Sequence, residues 1–531
     1  MKVQIIHIMF KDFDLNKKDF YCLIIFAVFS IILTGNYIIF NSNFGIYCSD
    51  VYVYLLNALY YTGVNIRSTG TIYLSPLICF LTSIFFYAGF IDKLAIYIVT
   101  GAFAIFGNLG FYILLKRYFN ETLSLAGCII YSSMTLYLTW LANGTLDIPA
   151  VSMIIWTALF TIMAVDDNPR FYKHAILFIV LGVFTRYTVL LTVPALLLNY
   201  VYQKGFRVES EDFTEIKKGI IIALILAIIT ISAVSIMGSG HFAASGQISN
   251  GISGAQGSNV DPAYNTDVSY YVSNFLNFIS NSHTVVNGNP ILENPTPLAY
   301  AIVAIIIIGM GLWLYDHKRG FERKDLIPIM FFILAIISFT RISSVVTTLL
   351  VLIGLYFLGK DSERKNECIM LAWIFSNLIF LSYYNIKVNR YLLPAFPAIV
   401  YFILLSIDTI NAHVKINRNI IPAVLIALFI VQAFTFTFTF EPTNEFKAIE
   451  EVSDYIIGNN PDYENLPIGV YNVRAYNWWL GSHLLPISSS DQDIIDSSNA
   501  TYYISDRVLN NVTNYTEIKN IDHIYIYEKS V

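Results

Sequence analysis

Four ionisable residues lie beside long apolar runs, where charged groups are costly and are functional candidates by default. Asp50 stands in IYCSDVYVY, Asp147 in LANGTLDIPA, Arg186 in VFTRYTVLLTVPAL and Arg390 in VNRYLLPAFPAIV. Carboxylates in such places can deprotonate a hydroxyl or bind a metal ion. Guanidinium groups can hold a phosphate through paired hydrogen bonds. We take Asp50 and Asp147 as candidate catalytic residues, and Arg186 and Arg390 as candidate phosphate ligands.

Four neighbouring residues extend this candidate site. Lys387 lies just before Arg390 and is a further candidate for phosphate binding. The aromatic neighbours of the charged residues are expected to line the substrate pocket; they are Tyr52, Tyr187 and Tyr391. A divalent cation such as Mg²⁺ or Mn²⁺ is a candidate cofactor, with Asp50 as its candidate ligand.

Each of the four charged residues also has a simpler interpretation. Asp147 could only cap the helix that it opens, since Asp is common at that position. Arg186 and Arg390 could extend to lipid headgroups as anchors. Asp50 could be an ordinary exposed loop residue. Taken singly, none of the four is specific.

The elements that must position these residues follow from composition. Of the 531 residues, 56% are hydrophobic and 13% are charged, and the mean hydropathy is +0.60. A soluble protein of this size needs more charge to cover its surface. Apolar runs long enough to cross roughly 30 Å of hydrocarbon recur along most of the chain. Membrane-spanning strands would alternate polar and apolar residues, so the runs predict an all-α polytopic membrane protein.

Hydropathy predicts about thirteen membrane-spanning helices. They are expected near residues 20–40, 92–115, 122–140, 148–164, 174–186, 188–203, 219–238, 298–315, 326–340, 344–358, 367–384, 391–410 and 420–437.

The basic residues orient these segments. With the N-terminus in the cytoplasm, 21 of the 32 Lys and Arg fall in cytoplasmic segments, such as the HKRGFERKD loop. This distribution follows the positive-inside rule. An odd number of spans then places the C-terminus outside, and it brings Asp50, Asp147, Arg186 and Arg390 to the same outer face. We expect a plasma-membrane protein.

Three long segments lie outside in this arrangement. Residues 41–91 contain two apolar stretches that we expect to be helices at the outer interface. Residues 239–297 are rich in Gly, Ser and Asn and predict a flexible loop that covers the site, with one short helix near Val268–Ile279. Residues 441–531 mix a helical stretch with short strand-like runs, which predicts a small α/β domain after a membrane domain of residues 1–440. The five cysteines show no metal-ligand spacing.

The order of these features resembles the membrane glycosyltransferases of the GT-C fold, especially the protein O-mannosyltransferase and aminoarabinose transferase superfamily. The similar features are an acidic residue after the first span (Asp50), a YLSP stretch at Tyr73–Pro76, the outer Asp147, the TRYTVLLTVPALLL segment and the VNRYLLPAFPAIV segment. This chain has Ser49-Asp50 where many relatives carry Asp-Glu, and Ser75-Pro76 where relatives carry a His-Pro-Pro-like motif. The YNWWLG stretch at Tyr476–Gly481 lacks the Asp of the oligosaccharyltransferase motif, and we expect its aromatics to be core residues.

The resemblance implies an enzyme that transfers one sugar, with inversion, from a polyprenyl-phosphate donor to an acceptor hydroxyl on a protein, lipid or glycan. Asp50 would then act as general base or metal ligand, and Asp147 as a second, supporting carboxylate. Arg186 and Arg390 would balance the charge on the leaving lipid phosphate. No nucleic acid partner is expected.

Two other classes of function are open at this stage. A lipid or solute transporter or flippase predicts ionisable pairs near the middle of the bilayer and repeated halves. The charges here cluster at one face, and no internal repeat is detectable. An inactive relative that acts as a sensor or scaffold is the other alternative.

Overall fold

The computed structural model describes residues 13, 15–64, 76–237, 265–285, 291–318, 322–414, 417–439, 445–481 and 483–530. Part of the YLSP stretch (73–75), most of the Gly/Ser-rich segment (238–264) and the predicted domain boundary at 440/441 lie outside the described residues.

A helix coincides with each of the thirteen predicted membrane segments. These helices are α1 (Lys17–Phe44), α4 (Lys93–Lys116), α5 (Glu121–Ser133), α7 (Asp147–Asp166), α8 (Tyr172–Thr185), α9 (Val193–Lys204), α10 (Ser210–Met237), α13 (Pro297–Asp316), α14 (Leu326–Ser338), α15 (Ser344–Gly359), α16 (Lys365–Tyr383), α17 (Phe396–His413) and α18 (Ile420–Thr435). The predicted segment 122–140 is divided, because Met134 is extended between α5 and the short helix α6 (Thr135–Trp140).

Seven apolar helical segments in the described part of the chain are long enough to cross a membrane. They are Lys17–Phe44, Lys93–Lys116, Asp147–Asp166, Pro297–Asp316, Lys365–Tyr383, Asn389–His413 and Ile420–Thr439. The chain is therefore a multi-pass membrane protein, as predicted. The figure of about thirteen crossings stays a prediction.

Short elements lie in the segments that were predicted to be outside. Residues 41–91 form helices α2 (Ser49–Tyr60) and α3 (Leu77–Tyr87), which pack against each other. The end of the Gly/Ser-rich loop forms two short helices, α11 (Tyr270–Ser273) and α12 (Phe275–Ile279), where one was predicted. An antiparallel hairpin of β1 (Asn281–Val285) and β2 (Ile291–Pro295) leads into α13.

The C-terminal region forms a mixed sheet with helices, as the strand-like runs predict. Its elements are α19 (Glu445–Asn459), β3 (Pro467–Val470), α20 (Val473–Leu480), β4 (His483–Pro486), α21 (Gln492–Ser497), β5 (Tyr502–Ser505), β6 (Tyr515–Ile521) and β7 (Ile524–Lys529). The strand order is β4-β3-β5-β7-β6, with β3 parallel to β4 and β5, and β7 antiparallel to β5 and β6.

Helices α19 and α20 hold this domain against the membrane helices. Lys93 Nζ at the start of α4 lies 2.6 Å from Glu450 Oε2 of α19. The same ammonium group lies 5.4 Å from the ring centroid of Trp479, and Trp478 stacks on Phe86 at 5.9 Å. The two tryptophans of YNWWLG are partly buried against the main core, in agreement with the expectation of core aromatics, and they lie at the contact between the two parts.

Candidate functional site

Asp50 stands in the first turn of α2, where a carboxylate is favoured by the positive end of the helix. The chain reaches this helix through Gly45, whose φ of 102° favours glycine. A Cβ at Gly45 would lie 3.0 Å from the backbone of Phe446 in the C-terminal domain. The entry to α2 is thus shaped by a close contact with α19.

Asp147 opens α7 and is held beside α2 by the loop that precedes it. Asn143 Nδ2 donates to the Tyr47 hydroxyl at 2.9 Å, and Asn41 Nδ2 donates to the carbonyl of Leu141 at 2.9 Å. Gly144 has a φ of 88°, and a Cβ there would lie 2.8 Å from Cγ1 of Val51. The two carboxylate-bearing helices therefore begin next to each other.

Both arginines lie at breaks in helices. Arg186 is extended after α8, and a 3₁₀ turn at Tyr187–Thr192 leads into α9 with Pro194 in its first turn. Arg390 lies in a second 3₁₀ turn at Asn389–Ala395, which leads into α17. Proline lacks a backbone N–H and disfavours a helix before it, so Pro194 and the prolines after Arg390 explain both breaks. The two turns pack against each other and against α7.

The four predicted charged residues meet in one alternating cluster, which we call the Asp–Arg cluster (Asp50, Arg390, Asp147 and Arg186). Arg390 Nη2 lies 2.5 Å from Asp50 Oδ2, and Arg390 Nε lies 3.6 Å from Asp147 Oδ2. Arg186 Nη1 lies 2.7 Å from Asp147 Oδ1. The ion pairs contradict the interpretation of Asp147 as a cap alone and of the arginines as isolated lipid anchors.

The two carboxylates differ in their access to solvent. The Asp147 side chain is 4% exposed and lies between both guanidinium groups, whereas the Asp50 side chain is 38% exposed. A group that takes a proton from an incoming substrate must be reachable, and Asp50 meets that condition in this structure. Asp147 is placed to orient the arginines.

Two atoms of the cluster have unused hydrogen-bonding capacity. Asp147 Oδ2 and Arg390 Nε are buried, and neither forms a hydrogen bond with any residue that the structure describes. Buried polar atoms are almost always hydrogen-bonded, and exceptions often mark functional sites. The two atoms face each other across 3.6 Å, which is too long for a hydrogen bond, so this contact is held by charge alone.

Aromatic rings surround the arginines. The Arg186 guanidinium lies 5.0 Å from the ring centroid of Tyr391, and the Arg390 guanidinium lies 5.0 Å from that of Trp140 and 5.9 Å from that of Tyr391. Such cation–π contacts fix the guanidinium planes. Tyr391 therefore contacts both arginines, and Tyr187 is partly exposed beside Arg186. Trp140 was not predicted from the sequence, although its place seven residues before Asp147 and at the end of a predicted span was a signal.

The structure favours Tyr54 over Tyr52 as the tyrosine of α2 that faces the cluster. Residues four apart share a helix face, so Tyr54 lies on the side of Asp50 while Tyr52 points elsewhere. Burial and the charge of Asp50 raise the pKa of the Tyr54 hydroxyl, whereas Arg186 and Arg390 act to lower it. Tyr54 therefore lies close to three charged residues of the cluster. Tyr52 is buried on another side of the helix.

Lys387 is engaged in a different interaction from the one predicted. Its ammonium group donates to the carbonyls of Leu381 and Ser382, both at 2.8 Å, and to that of Tyr384. These carbonyls lie at the C-terminal end of α16, where a cation is favoured. Burial lowers the pKa of Lys387 to about 8, while Asp267 acts to raise it. This geometry favours helix capping over phosphate binding for Lys387.

A third arginine acts on the site from the C-terminal domain. Arg474 is exposed on α20, which packs against α2. Burial on its own would raise the pKa of the Asp50 carboxyl, but Arg390, and to a lesser extent Arg186 and Arg474, hold it below its usual value. Asp50 is therefore a carboxylate at neutral pH. Nothing in the sequence alone linked Arg474 to Asp50, because their proximity depends on how the two parts dock.

The residues of the site do not match the ligand set of a divalent cation. In the described ranges no group of three or more His, Cys, Asp and Glu side chains is placed to hold a metal ion. Asp50 and Asp147 face guanidinium groups, and a cation between them would meet like charges. All five cysteines are free.

Comparisons with known proteins agree with this arrangement. Residues 74–236 match the sequence family described as dolichyl-phosphate-mannose-protein mannosyltransferase. No curated protein matches the chain. The fold is similar to the crystal structure of ArnT from Cupriavidus metallidurans bound to undecaprenyl phosphate, with a TM-score of 0.60 and 10% identity over 95% of this chain and 97% of that one. The apo structure of the same protein gives a TM-score of 0.56 and 9% identity over the same shares. The predicted GT-C fold and the resemblance to its mannosyltransferase and aminoarabinose transferase members are confirmed.

Proposed function

We propose that this protein is a membrane glycosyltransferase that moves a single sugar from a polyprenyl-phosphate donor to an acceptor hydroxyl, with inversion, on the outer face of the membrane. The observation that carries the proposal is the Asp–Arg cluster, in which two guanidinium groups, suited to bind a phosphate, lie in one network with a partly exposed carboxylate. The mannosyltransferase family match and the fold shared with a protein crystallised with undecaprenyl phosphate support this choice of donor.

The arginines stabilise the leaving group in this reaction. As the bond between the sugar's anomeric carbon and the phosphate oxygen breaks, its electron pair stays on the lipid phosphate, which gains a negative charge. Arg186 and Arg390 are fixed in place by Asp147 and by the ring of Tyr391. Cations that are already oriented stabilise developing charge without reorganisation, which is a large contribution to catalysis. Asp147 therefore acts as the supporting carboxylate.

Asp50 takes the proton of the acceptor. The hydroxyl oxygen attacks the anomeric carbon on the face opposite the phosphate, which inverts the configuration, and its proton passes to the Asp50 carboxylate. At rest Arg390 holds that carboxylate at 2.5 Å. Donor binding offers Arg390 a phosphate in exchange, and this exchange frees Asp50 to accept a proton. The base is thus released when the donor arrives.

The orientation of the chain belongs to the same proposal. The N-terminus would lie in the cytoplasm, and the C-terminal domain, which contacts the start of α2 and bears Arg474, would lie outside with the cluster. A lipid donor enters from the bilayer, so its phosphate must lie at the depth of the membrane interface. The helix ends that carry Asp50 and Asp147 would lie at the same depth. The acceptor is then a molecule of the cell envelope, whether protein, lipid or glycan.

The test is consumption of donor by purified protein in detergent. A panel of polyprenyl-phosphate sugars is supplied with a crude envelope acceptor fraction, and release of polyprenyl phosphate is measured together with the anomeric configuration of the product. We expect release that depends on acceptor and a product of inverted configuration. Retained configuration would contradict the single displacement. If no donor is bound or consumed while labelled lipid crosses vesicles containing the protein, the transporter alternative is correct.

A further inference from the structure

The segment after the Gly/Ser-rich loop is bound to the chain directly before Arg390. The Tyr271 hydroxyl of α11 donates to the carbonyl of Val388 at 3.1 Å. The backbone N–H of Lys387 donates to the carbonyl of Asn265 at 3.0 Å, in a short antiparallel bridge. Two consecutive residues before Asn389 and Arg390 are therefore held by the outer loop. Tyr271 is 1% exposed, so water competes little for its hydrogen bond.

The same short stretch is also fixed from within the membrane domain. The Lys387 ammonium group donates to carbonyls at the end of α16. The Asn389 carboxamide oxygen accepts from the Arg390 N–H at 2.7 Å and from Trp140 Nε1 at 3.2 Å. Each of the three residues before Arg390 is thus fixed by a hydrogen bond. The Val388 carbonyl accepts from the Tyr271 hydroxyl and, within the turn, from the Tyr391 N–H, both at 3.1 Å.

The far end of the loop segment is anchored next to Trp140. The Asn281 N–H donates to Thr135 Oγ1 at 2.9 Å, and Thr135 begins α6, the helix that ends at Trp140. Gln432 Nε2 of α18 donates to the carbonyl of Ile279 at 3.1 Å. The segment is therefore tied to both sides of the Arg390 pocket: to the backbone before the arginine and to the helix whose tryptophan faces its guanidinium.

We propose that Tyr271 is a positioning residue that fixes the guanidinium of Arg390 by holding the carbonyl of Val388. The inference rests on the proposed function in one respect, that Arg390 binds the lipid phosphate. Arg390 must reach Asp50, Asp147 and the phosphate from one backbone position, and paired hydrogen bonds to a phosphate tolerate little displacement. Loss of the Tyr271 hydroxyl leaves this carbonyl only the Tyr391 N–H of its own turn, and it removes the side-chain link that ties the turn to the loop segment.

The first test measures the position of Arg390 without an activity assay. Arg390 Nη1 donates to Sγ of Cys48 at 3.0 Å, and that thiol is buried. Burial raises the pKa of the Cys48 thiol, although Arg390 acts to lower it, so the thiol is protonated and reacts slowly. In a protein whose other four cysteines are replaced by Ala, the rate of Cys48 labelling by a neutral maleimide reports how well Arg390 covers it.

We expect Tyr271→Phe to shift the labelling rate several-fold from that of its parent, in the same direction as Arg390→Ala, whether the loss of cover or the loss of the positive charge has the larger effect on the thiol. Tyr270→Phe is the matched control, since its ring packs beside Tyr271 and Phe278 while its hydroxyl makes no hydrogen bond to a described residue. A labelling rate for Tyr271→Phe that equals that of Tyr270→Phe would overturn the proposal.

The second test is a double-mutant cycle on polyprenyl phosphate binding. Tyr271→Phe is expected to weaken binding about three- to tenfold, the size of one hydrogen bond. In the Arg390→Ala background it is expected to have no further effect, because the residue acts through Arg390. Equal losses in both backgrounds would overturn the positioning role. If the parent binds no polyprenyl phosphate but Tyr271→Phe still shifts the labelling rate as Arg390→Ala does, the proposed function fails while the positioning of Arg390 by Tyr271 is supported.

Discussion

Arg390 Nη2 lies 2.5 Å from Asp50 Oδ2, so the carboxylate proposed as the base is ion-paired in this structure. The same arginine reaches Asp147, which is paired in turn with Arg186. The cluster carries two positive and two negative charges and is close to neutral before a substrate binds. An arriving phosphate must displace one of the carboxylates, and Asp50 is the more exposed of the two.

Replacement of Arg186 should weaken both the fold and donor binding. Arg186→Ala leaves the buried Asp147 carboxylate with only its longer contact to Arg390. Breaking a buried ion pair from one side typically lowers the free energy of unfolding by about 3–5 kcal/mol. Thermal unfolding in detergent should therefore shift downward, and polyprenyl phosphate should bind at least about tenfold more weakly.

The matched variant is Arg186→Lys, which keeps the charge but not the planar fork. It should recover most of the stability and little of the phosphate affinity. Equal recovery of both quantities would show that Arg186 acts only as a charge and does not bind the phosphate directly.

Asp147→Asn should separate positioning from proton transfer. The amide retains the shape of the carboxylate but no longer neutralises two guanidinium groups. We expect transfer to fall about 10- to 100-fold through misplaced arginines, while the remaining activity keeps an acidic limb because Asp50 is still the base. Measurement of kcat/KM across pH checks this. Loss of the acidic limb would instead indicate that Asp147 itself exchanges the proton.

The pH dependence of transfer should reflect the lowered pKa of Asp50. Because Arg390, Arg186 and Arg474 outweigh the effect of burial, the carboxylate persists below its ordinary pKa of about 3.9. The value of kcat/KM, which reports the free enzyme with Asp50 still paired to Arg390, should therefore remain constant as the pH falls from 7 to about 5 and decline only when the carboxylate is protonated. The ion pair with Arg390 likewise stabilises the fold above the unfolded-state pKa, and this contribution is lost as the pH falls through the folded-state pKa.

Arg474→Ala should move the acidic limb of that profile to higher pH. Arg474 is exposed, so the shift should be less than about one pH unit and should vanish in high salt. Arg507→Ala is a suitable control, because Arg507 is an exposed arginine of the same domain that pairs with Asp506. An identical profile for Arg474→Ala and wild type at low salt would show that the C-terminal domain has no electrostatic effect on Asp50.

Docking of the C-terminal domain should depend on the pair Lys93–Glu450. The pair is largely buried, with Nζ and Oε2 2.6 Å apart. Lys93→Glu places two carboxylates together and should release the domain, which limited proteolysis between α18 and α19 would detect. The double variant Lys93→Glu with Glu450→Lys should restore protection. Failure of the double variant to do so would point to the Trp478 and Phe86 contact as the main link.

Chelation should leave transfer unchanged. The described residues do not match the ligand set of a divalent cation, because the two carboxylates of the site face arginines. Donor consumption is measured with excess EDTA and again after Mg²⁺ or Mn²⁺ is added back. Loss of activity with EDTA that Mg²⁺ restores would contradict this assignment and favour the sequence-based candidate, in which Asp50 binds a metal.

The sequence predicted the broad plan of the molecule because membranes constrain it strongly. Apolar runs located a helix at each of thirteen segments, and the distribution of Lys and Arg brought four charged residues to one face before any contact was known. The C-terminal sheet was only partly predicted. The alternating run of β7 was recognisable, whereas the edge strand β6 (YTEIKNI) is largely polar and exposed and carries little signal.

Side-chain partners were less predictable because they depend on angles that the sequence does not specify. Lys387 is three to six residues after the carbonyls that it caps, a local arrangement that competes with the predicted phosphate role. Tyr52 and Tyr54 differ only in their position around the helix. Residues four apart lie on the same helix face, so the spacing from Asp50 would have indicated Tyr54. Trp140 and Arg474 enter the site through tertiary contacts alone.

Transfer by Asp50→Asn tests the central claim most directly. The variant keeps the shape of the side chain and leaves Arg186 and Arg390 in place, so polyprenyl phosphate should bind at least as tightly as to wild type. Release of polyprenyl phosphate from the donor should fall by about 10²–10⁴-fold, the contribution of a general base. Retained binding with lost turnover is the result that our account predicts. Turnover equal to that of wild type would contradict the assignment of Asp50 as the base.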